Sequence, residues 1–368
     1  MNKLKNIGIS ALAGTLVSLS AAQAGGVSVS GNMELSYVNL NHEKVTGNKL
    51  GMNKNLSFGS SGDVTDGGGV TWTSTVVMGD TANLSSASMS LNMGGIATLA
   101  YDSGTGGYGA NAVDNIVPTA WEEIDYGLST GIVDVGAVSK SKGVVNLTIK
   151  APVAGTGISL SYVSRVGGAH IADGGTDAAA TGGRGLDAVI DLVNYSSAHF
   201  GARIGFAAQT EIKEVTCDNR RASADTMSDT ACNAGFKNNP YAGTAYTTLA
   251  LGPIHMGVQA TFSDPMEAAA SGMDNRRAIV AGAAFVVGDT LSISYGRAWQ
   301  KNKFNDDTRN ADGEHGKPYS NIEYRGWSAA INMGPIALKA TKNAVDGMGE
   351  NGSSSPKKHS EINLSMAF

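Results

Sequence analysis

Several things are scarce in this chain. Its 368 residues include only 8 Pro and 2 Cys, with aromatic residues at 6% and charged residues at 16%. No stretch offers the roughly 18 to 20 uninterrupted apolar residues of a membrane-spanning helix, which excludes a helical membrane protein. The two cysteines, Cys217 and Cys232, do not stand at zinc-ligand spacing, so no metal site is expected of them. The six histidines are scattered, and no Ser-His or Asp-His constellation accompanies them. An enzyme is therefore not expected.

The first 24 residues, MNKLKNIGISALAGTLVSLSAAQA, place two lysines ahead of an apolar run from Ile7 to Leu19 and end on Ala22-Gln23-Ala24. That pattern is an export signal, with residues 25–368 as the mature domain. Without Lys3 and Lys5 the mature chain carries 25 basic residues against 32 acidic ones, a balance of −7. Nucleic acid is not an expected partner. In an exported protein Cys217 and Cys232 read as a disulfide closing a polar surface loop, worth about 3 kcal/mol by chain entropy; two free thiols are the alternative.

What the chain has in abundance is two-residue alternation. In VSVSGNMELSYV, Val27, Val29, Met33, Leu35 and Tyr37 share one face, while Ser28, Ser30, Asn32, Glu34 and Ser36 share the other. Seven hairpins follow the same grammar, turning at residues 62–69, at Gly94-Gly95, at 151–157, at 196–199, at Gly252-Pro253, at Gly288-Asp289 and at Gly334-Pro335. A closing strand, HSEINLSMAF, brings the expected number to sixteen. Between hairpins the connections are mostly long and polar, the longest spanning 102–143. Short turns at one end and long loops at the other are the form of an all-β transmembrane antiparallel barrel. A sixteen-stranded interior is too wide for side chains to fill, so the apolar face belongs against lipid and the polar face around water. Tyr37, Tyr101, Tyr162, Tyr295, Trp299, Tyr324 and Trp327, near the long loops, suit the membrane interface. A secreted soluble β-sandwich that binds glycans is the alternative the alternation also allows.

At three places the sequence resembles the general diffusion porins of Gram-negative bacteria: EINLSMAF ending at Phe368, NLSFGSSGDVTDGGGVTWTSTVVM, and GGIATLAYDSG. The resemblance implies a homotrimeric outer-membrane channel for small hydrophilic solutes, in contact with lipid and lipopolysaccharide. It also implies that Phe368 serves as an assembly signal for the barrel-assembly machinery. It further implies that the third loop, 102–143, folds into the lumen, where Asp114, Glu122, Glu123 and Asp125 would line a constriction. Two features differ from the family: Pro118-Thr119-Ala120-Trp121-Glu122 replaces its usual loop motif, and Asn55 stands where an inward arginine is expected. Transport of one particular substrate is the alternative to general diffusion.

Parity assigns Glu34, Lys150, Asp187, Asp191, Arg203 and Lys339 to the lumen. Asp191 and Arg203 are equidistant from a turn centred at Ser197 and are expected to face each other as an ion pair. Lys339 falls opposite Ala330 and is expected to be a free lumenal charge. No cofactor is expected, although NDDTRNADGEHG (305–316) holds hard oxygen ligands that suggest a loop-bound Ca2+.

Overall fold

Val, Ile, Thr, Tyr and Phe at every second position favour extended backbone, and in the computed structural model this alternation forms sixteen strands. The residues described are 26–40, 48–64, 69–80, 84–104, 107–128, 130–150, 155–164, 166, 183–197, 199–212, 239–264, 273–304, 319–347 and 358–368. The expected export signal 1–24, Cys217 and Cys232, and the acidic run 305–316 lie outside them.

The strands are β1 (Val27–Leu40), β2 (Leu50–Asp63), β3 (Val70–Met78), β4 (Leu84–Met93), β5 (Ala97–Asp102), β6 (Val144–Lys150), β7 (Gly157–Val163) and β8 (Arg184–Ser196). They continue as β9 (Phe200–Ile212), β10 (Tyr241–Leu251), β11 (Ile254–Asp264), β12 (Met273–Val287), β13 (Leu291–Phe304), β14 (Tyr319–Met333), β15 (Ile336–Asp346) and β16 (Lys358–Ala367). Each pairs antiparallel with its sequence neighbours, and β16 returns to β1, so one sheet closes on itself. A two-sheet sandwich is thereby excluded. At the seam Gly31 and Phe368 exchange both backbone hydrogen bonds, at 2.8 and 3.0 Å.

Short turns lie where expected. Gly252 and Gly334 take φ of +56° and +65° ahead of prolines whose rings fix φ negative, the combination a type II′ hairpin turn requires. Several strands run further toward the long loops than their apolar residues alone suggest. β12 begins at Met273 rather than near Ile279, and β13 continues to Phe304 rather than stopping near Gly296. The alternation persists there with charged residues in the outward positions, so the ladder outlasts the apolar signal.

Facing is consistent around the barrel. Leu35, Ile190, Phe206, Val258, Ile293 and Leu364 are 43–50% exposed on the outside. Inward residues of β13 to β16 are covered: Ala298, Ser328, Lys339 and Ser365 are 2% exposed or less. One expectation about the aromatic belt is corrected, because Tyr324 is fully buried and faces inward. Its even position in β14 alternates against the outward Trp327, and its hydroxyl bonds Thr130 at 3.0 Å and donates to Gly131 O at 3.2 Å.

Candidate functional site

The described residues of the third loop, 103–104, 107–128 and 130–143, lie against the inward faces of the strands from β7 round to β16. Its backbone N–H groups are taken by side chains of that wall. Gln259 Oε1 accepts from Ile116 at 3.2 Å, Ser294 Oγ from Ala120 at 2.8 Å, Ser328 Oγ from Trp121 at 3.1 Å and Gln300 Oε1 from Val133 at 2.8 Å. Asn343 Nδ2 donates to the carbonyls of Glu123 and Tyr126, at 2.8 and 3.0 Å. An irregular segment away from bulk water must satisfy its backbone in this way. Apolar contacts fill the spaces between: Ala110, Val113 and Val135 against Val189, Ala207 and Tyr246, and Ile124 against Ala298, Tyr324 and Val345.

A row of glycines permits the approach. Gly257, Gly282, Gly296 and Gly326 are successive register partners on β11 to β14. A Cβ on Gly257 would stand 2.6 Å from Pro118 Cδ, on Gly282 2.8 Å from Val117 Cγ1, and on Gly296 2.9 Å from Ile124 Cγ2. On Gly326 it would lie 3.2 Å from Ile124 Cα. Sequence reasoning missed this row as a docking surface. The signal was available, since each glycine sits at an inward parity and Gly282 and Gly296 are symmetric about the turn at Asp289.

The loop acids gather on the same segment. Asp114 is buried and receives Lys140 Nζ at 2.5 Å, while Asp134 receives the same ammonium at 2.8 Å. Asp125 Oδ2 accepts from Ile132 N at 2.7 Å. Burial pushes Glu122 up to about 7, helped by Glu361 and opposed by Lys339. Burial, then Asp125 and Asp114, push Glu123 up to about 8. Asp125 is raised, chiefly by burial. Burial and then Asp134 raise Asp114 to about 6 against the pull of Lys140. Little charge is therefore fixed on Glu122 and Glu123 in mild acid, and it grows through the neutral range.

The strand charges are placed as follows. Arg203 and Asp191 form a two-pronged pair, Nε to Oδ1 at 2.8 Å and Nη2 to Oδ2 at 2.9 Å, and Tyr246 OH donates to the same Oδ1 at 2.8 Å. The expected register is corrected: Arg203 lies opposite Asn194 and Asp191 opposite Gly205, because a bulge between Asp191 and Val193 shifts the ladder. The long guanidinium spans the offset diagonally. Replacing Asp191 with Asn should lower stability by about 1–3 kcal/mol, less than for a fully buried pair. This can be read as an earlier loss of the folded electrophoretic form on heating, with pore conductance retained.

Lys339 is not a free charge. It does lie opposite Ala330, as expected, but it is 1% exposed, with Nζ 3.4 Å from Glu34 Oε1 and 5.6 Å from the centre of the Trp121 ring. Glu34 reaches it across β16, over the seam, where hairpin symmetry cannot look, and the third loop covers it. Lys150 is exposed at the short-turn end opposite Gly157. His359, at the start of β16, is 4% exposed and faces Glu361 Oε2 at 3.2 Å with the Tyr126 ring edge-on at 5.3 Å.

On the far side, the inward residues of β2 and β3 are open. Asn53, Ser61 and Thr73 are exposed and Asn55 is half-buried, in contrast to the covered wall under the loop. A closed barrel that is apolar outside and polar within, with a loop laid on one wall and an uncovered polar wall opposite, has the architecture of a porin.

Solved structures of that architecture match nearly the whole chain. A loop-deletion form of OmpT, an outer membrane protein of Vibrio cholerae, superposes with a TM-score of 0.57 at 11% identity, over 94% of this chain and 100% of that one. OmpF of Salmonella typhi, solved with daunomycin, gives 0.56 at 9% identity over 93% and 97%. The anion-selective porin of Comamonas acidovorans gives 0.53 at 12% identity over 93% and 99%. The fold is that of the sixteen-stranded general porins. No family model and no curated protein matches the sequence.

Proposed function

We propose that this chain forms a water-filled channel in the outer membrane of a Gram-negative bacterium, exported through the periplasm and assembled as a homotrimer. Small hydrophilic solutes and ions pass by diffusion, with a modest preference for cations. The observation that carries this reading is the division of the lumen between an acid-bearing loop on one wall and an open Asn, Ser and Thr wall on the other. The fold does not set the sign of selectivity, since the Comamonas acidovorans neighbour is anion-selective; lumenal charge does. Here Glu122 neighbours Glu34 and Glu361, only partly offset by Lys339 and His359, and Asn55 supplies no positive charge opposite. An excess of carboxylates over cations in a narrow passage favours cations.

Reversal potentials in planar bilayers under a salt gradient test this. Cation preference should fall in a variant combining Glu122→Gln with Glu123→Gln, and it should fade as salt rises past about 0.1 M, where screening acts over about 10 Å. Anion preference in the unmodified protein, or no change in the double variant, overturns the reading. Uptake that saturates with one solute would point instead to a substrate-specific channel.

A pH dependence follows with a definite sign. An acid raised to about 7 or 8 is neutral below that value and charged above it, so cation preference should increase between about pH 6 and 9. In the double glutamine variant that increase should be lost.

A further inference from the structure

Among the described residues, Tyr126 is the only exposed aromatic side chain that lies neither on the outer face of a strand nor at the end of the chain; it is 40% exposed. It stands on the third loop, inside the barrel, and its ring is fixed from three sides. The hydroxyl donates to Glu361. The ring meets His359 edge-on, and the Trp121 ring lies 6.4 Å away, tilted by 47°. Glu122, four residues earlier, is half-buried and lies among the charges of Glu361, Lys339, Glu34 and His359. An aromatic ring held this firmly, with open surface beside carboxylates, is a prepared contact for a cation.

The corner where the loop meets the seam of β1 and β16 is short of donors. The Lys339 side chain has no exposed surface, and its ammonium is spent on Glu34. Glu361 takes the donors nearest to it, from His359, Ser36 and Tyr126. Asn363, 2% exposed, gives Nδ2 to Ser36 Oγ at 3.0 Å and leaves Oδ1 without a partner among the described residues. It lies opposite both Ser36 and Lys339, so this oxygen belongs to the same corner. Asn32 Oδ1, two residues from Glu34 on the inward face of β1, is unmatched in the same way. Buried acceptors are normally satisfied, and here two unmatched ones stand beside the carboxylates of Glu34 and Glu122. The corner lacks positive charge and N–H groups together. It lies in the body of the barrel, since Glu34 is near the middle of β1.

We propose that this corner is a binding site for organic cations rich in N–H groups, guanidinium compounds above all, which dwell there on their way through the channel. The planar cation lies over the open face of the Tyr126 ring, and its N–H edge meets the carboxylates of Glu122 and Glu34. A bare alkali cation gains only the attraction of the carboxylates and the ring. A quaternary ammonium gains the same and has no N–H to give. Among the described residues no group of three or more potential ligands is placed to hold a metal ion, which sets the corner apart from a metal site. The assignment rests on the channel reading above and names the class of solute that the channel retains.

The test is block of ion current in planar bilayers at about pH 8, above the value of about 7 to which burial raises Glu122. Butylguanidinium is the probe. Tetramethylammonium, charged but without N–H, and butylurea, planar but neutral, are the controls. The half-blocking concentration of butylguanidinium should be at least about tenfold below that of either control, because only the probe makes charge-assisted hydrogen bonds. Tyr126→Ser and Glu122→Gln should each raise it at least about threefold, while Tyr126→Phe, which keeps the ring, should stay near the unmodified protein. Conductance and heat stability without the probe show that a variant is assembled, and the isosteric Glu122→Gln carries the test where Tyr126→Ser does not assemble. Equal block by either control, unchanged block in an assembled Tyr126→Ser or Glu122→Gln variant, or the same loss in Tyr126→Phe as in Tyr126→Ser overturns the proposal. Calorimetric titration of the detergent-solubilised full barrel with butylguanidinium reads binding without conduction. A barrel that binds the probe and conducts no ions fails the channel reading alone; one that conducts cations and binds no probe fails this proposal alone.

Discussion

Removing residues 358–368 is expected to abolish membrane insertion. β16 is held on both sides, by β1 from Asn32–Ala367 to Leu40–His359 and by β15 from Ile336–Met366 to Ala344–Lys358. Its loss leaves the inner edges of β1 and β15 unpaired, and each unsatisfied backbone group in hydrocarbon costs several kcal/mol. No rearrangement of side chains offsets a whole open edge. A milder form of the same test is Gly31→Val. A Cβ there would stand 2.8 Å from the Asn55 backbone oxygen and 2.7 Å from Phe368 Cζ, so the seam would have to shift. Phe368→Asp removes the ring and leaves the backbone pairing in place. The expected order of heat-resistant folded protein in outer-membrane fractions is unmodified, then Phe368→Asp, then Gly31→Val, with none for the deletion. Normal amounts of the deletion variant would contradict the closure described here.

The second large effect concerns the third loop. Gly257→Leu combined with Gly296→Leu should lift the loop from its wall, because the new side chains would occupy the volume of Pro118 and Ile124 and also approach the Val117 backbone. Overpacking of this kind costs about 1–3 kcal/mol at each position. The sheet does not depend on the loop for its ladder hydrogen bonds, so the barrel should still assemble. Single-channel conductance should then become larger and more variable, with Lys339 newly accessible to lysine-directed reagents once Trp121 moves away. Unchanged conductance in a folded double variant would mean that the glycine row does not hold the loop. As a control, Gly94→Ala, at a turn with φ of +60° and open space around it, should affect the turn and leave conductance alone.

Much of the barrel could be read from the residues because its rule is local. A period of two assigns each side chain to one face, and Gly-Pro or Gly-Gly turns set the pairing next to them, so that Lys339 lies opposite Ala330 as counting gives it. The rule weakened wherever charge continued the alternation. Arg276, Arg277 and Lys301 look like loop residues by composition, yet they are in strands, because hydrogen bonding along the ladder does not require an apolar side chain. It also failed by one residue at the bulge near Leu192, since an inserted residue has no compositional mark.

The sequence by itself determined the strand number, the two faces, the short and long ends, and the position of the acids Asp114, Glu122, Glu123 and Asp125 within the longest connection. Only the tertiary structure decided which residues meet across distances that no turn connects: Glu34 with Lys339 over the seam, Trp121 over Lys339, Asn343 under Glu123 and Tyr126, and Ile124 against Gly296. The physical reason is that alternation fixes direction relative to the sheet, whereas these contacts depend on curvature, closure and the path of an irregular loop. Those are set by the sum of many weak contacts around the whole ring, and none of them is written in any one segment.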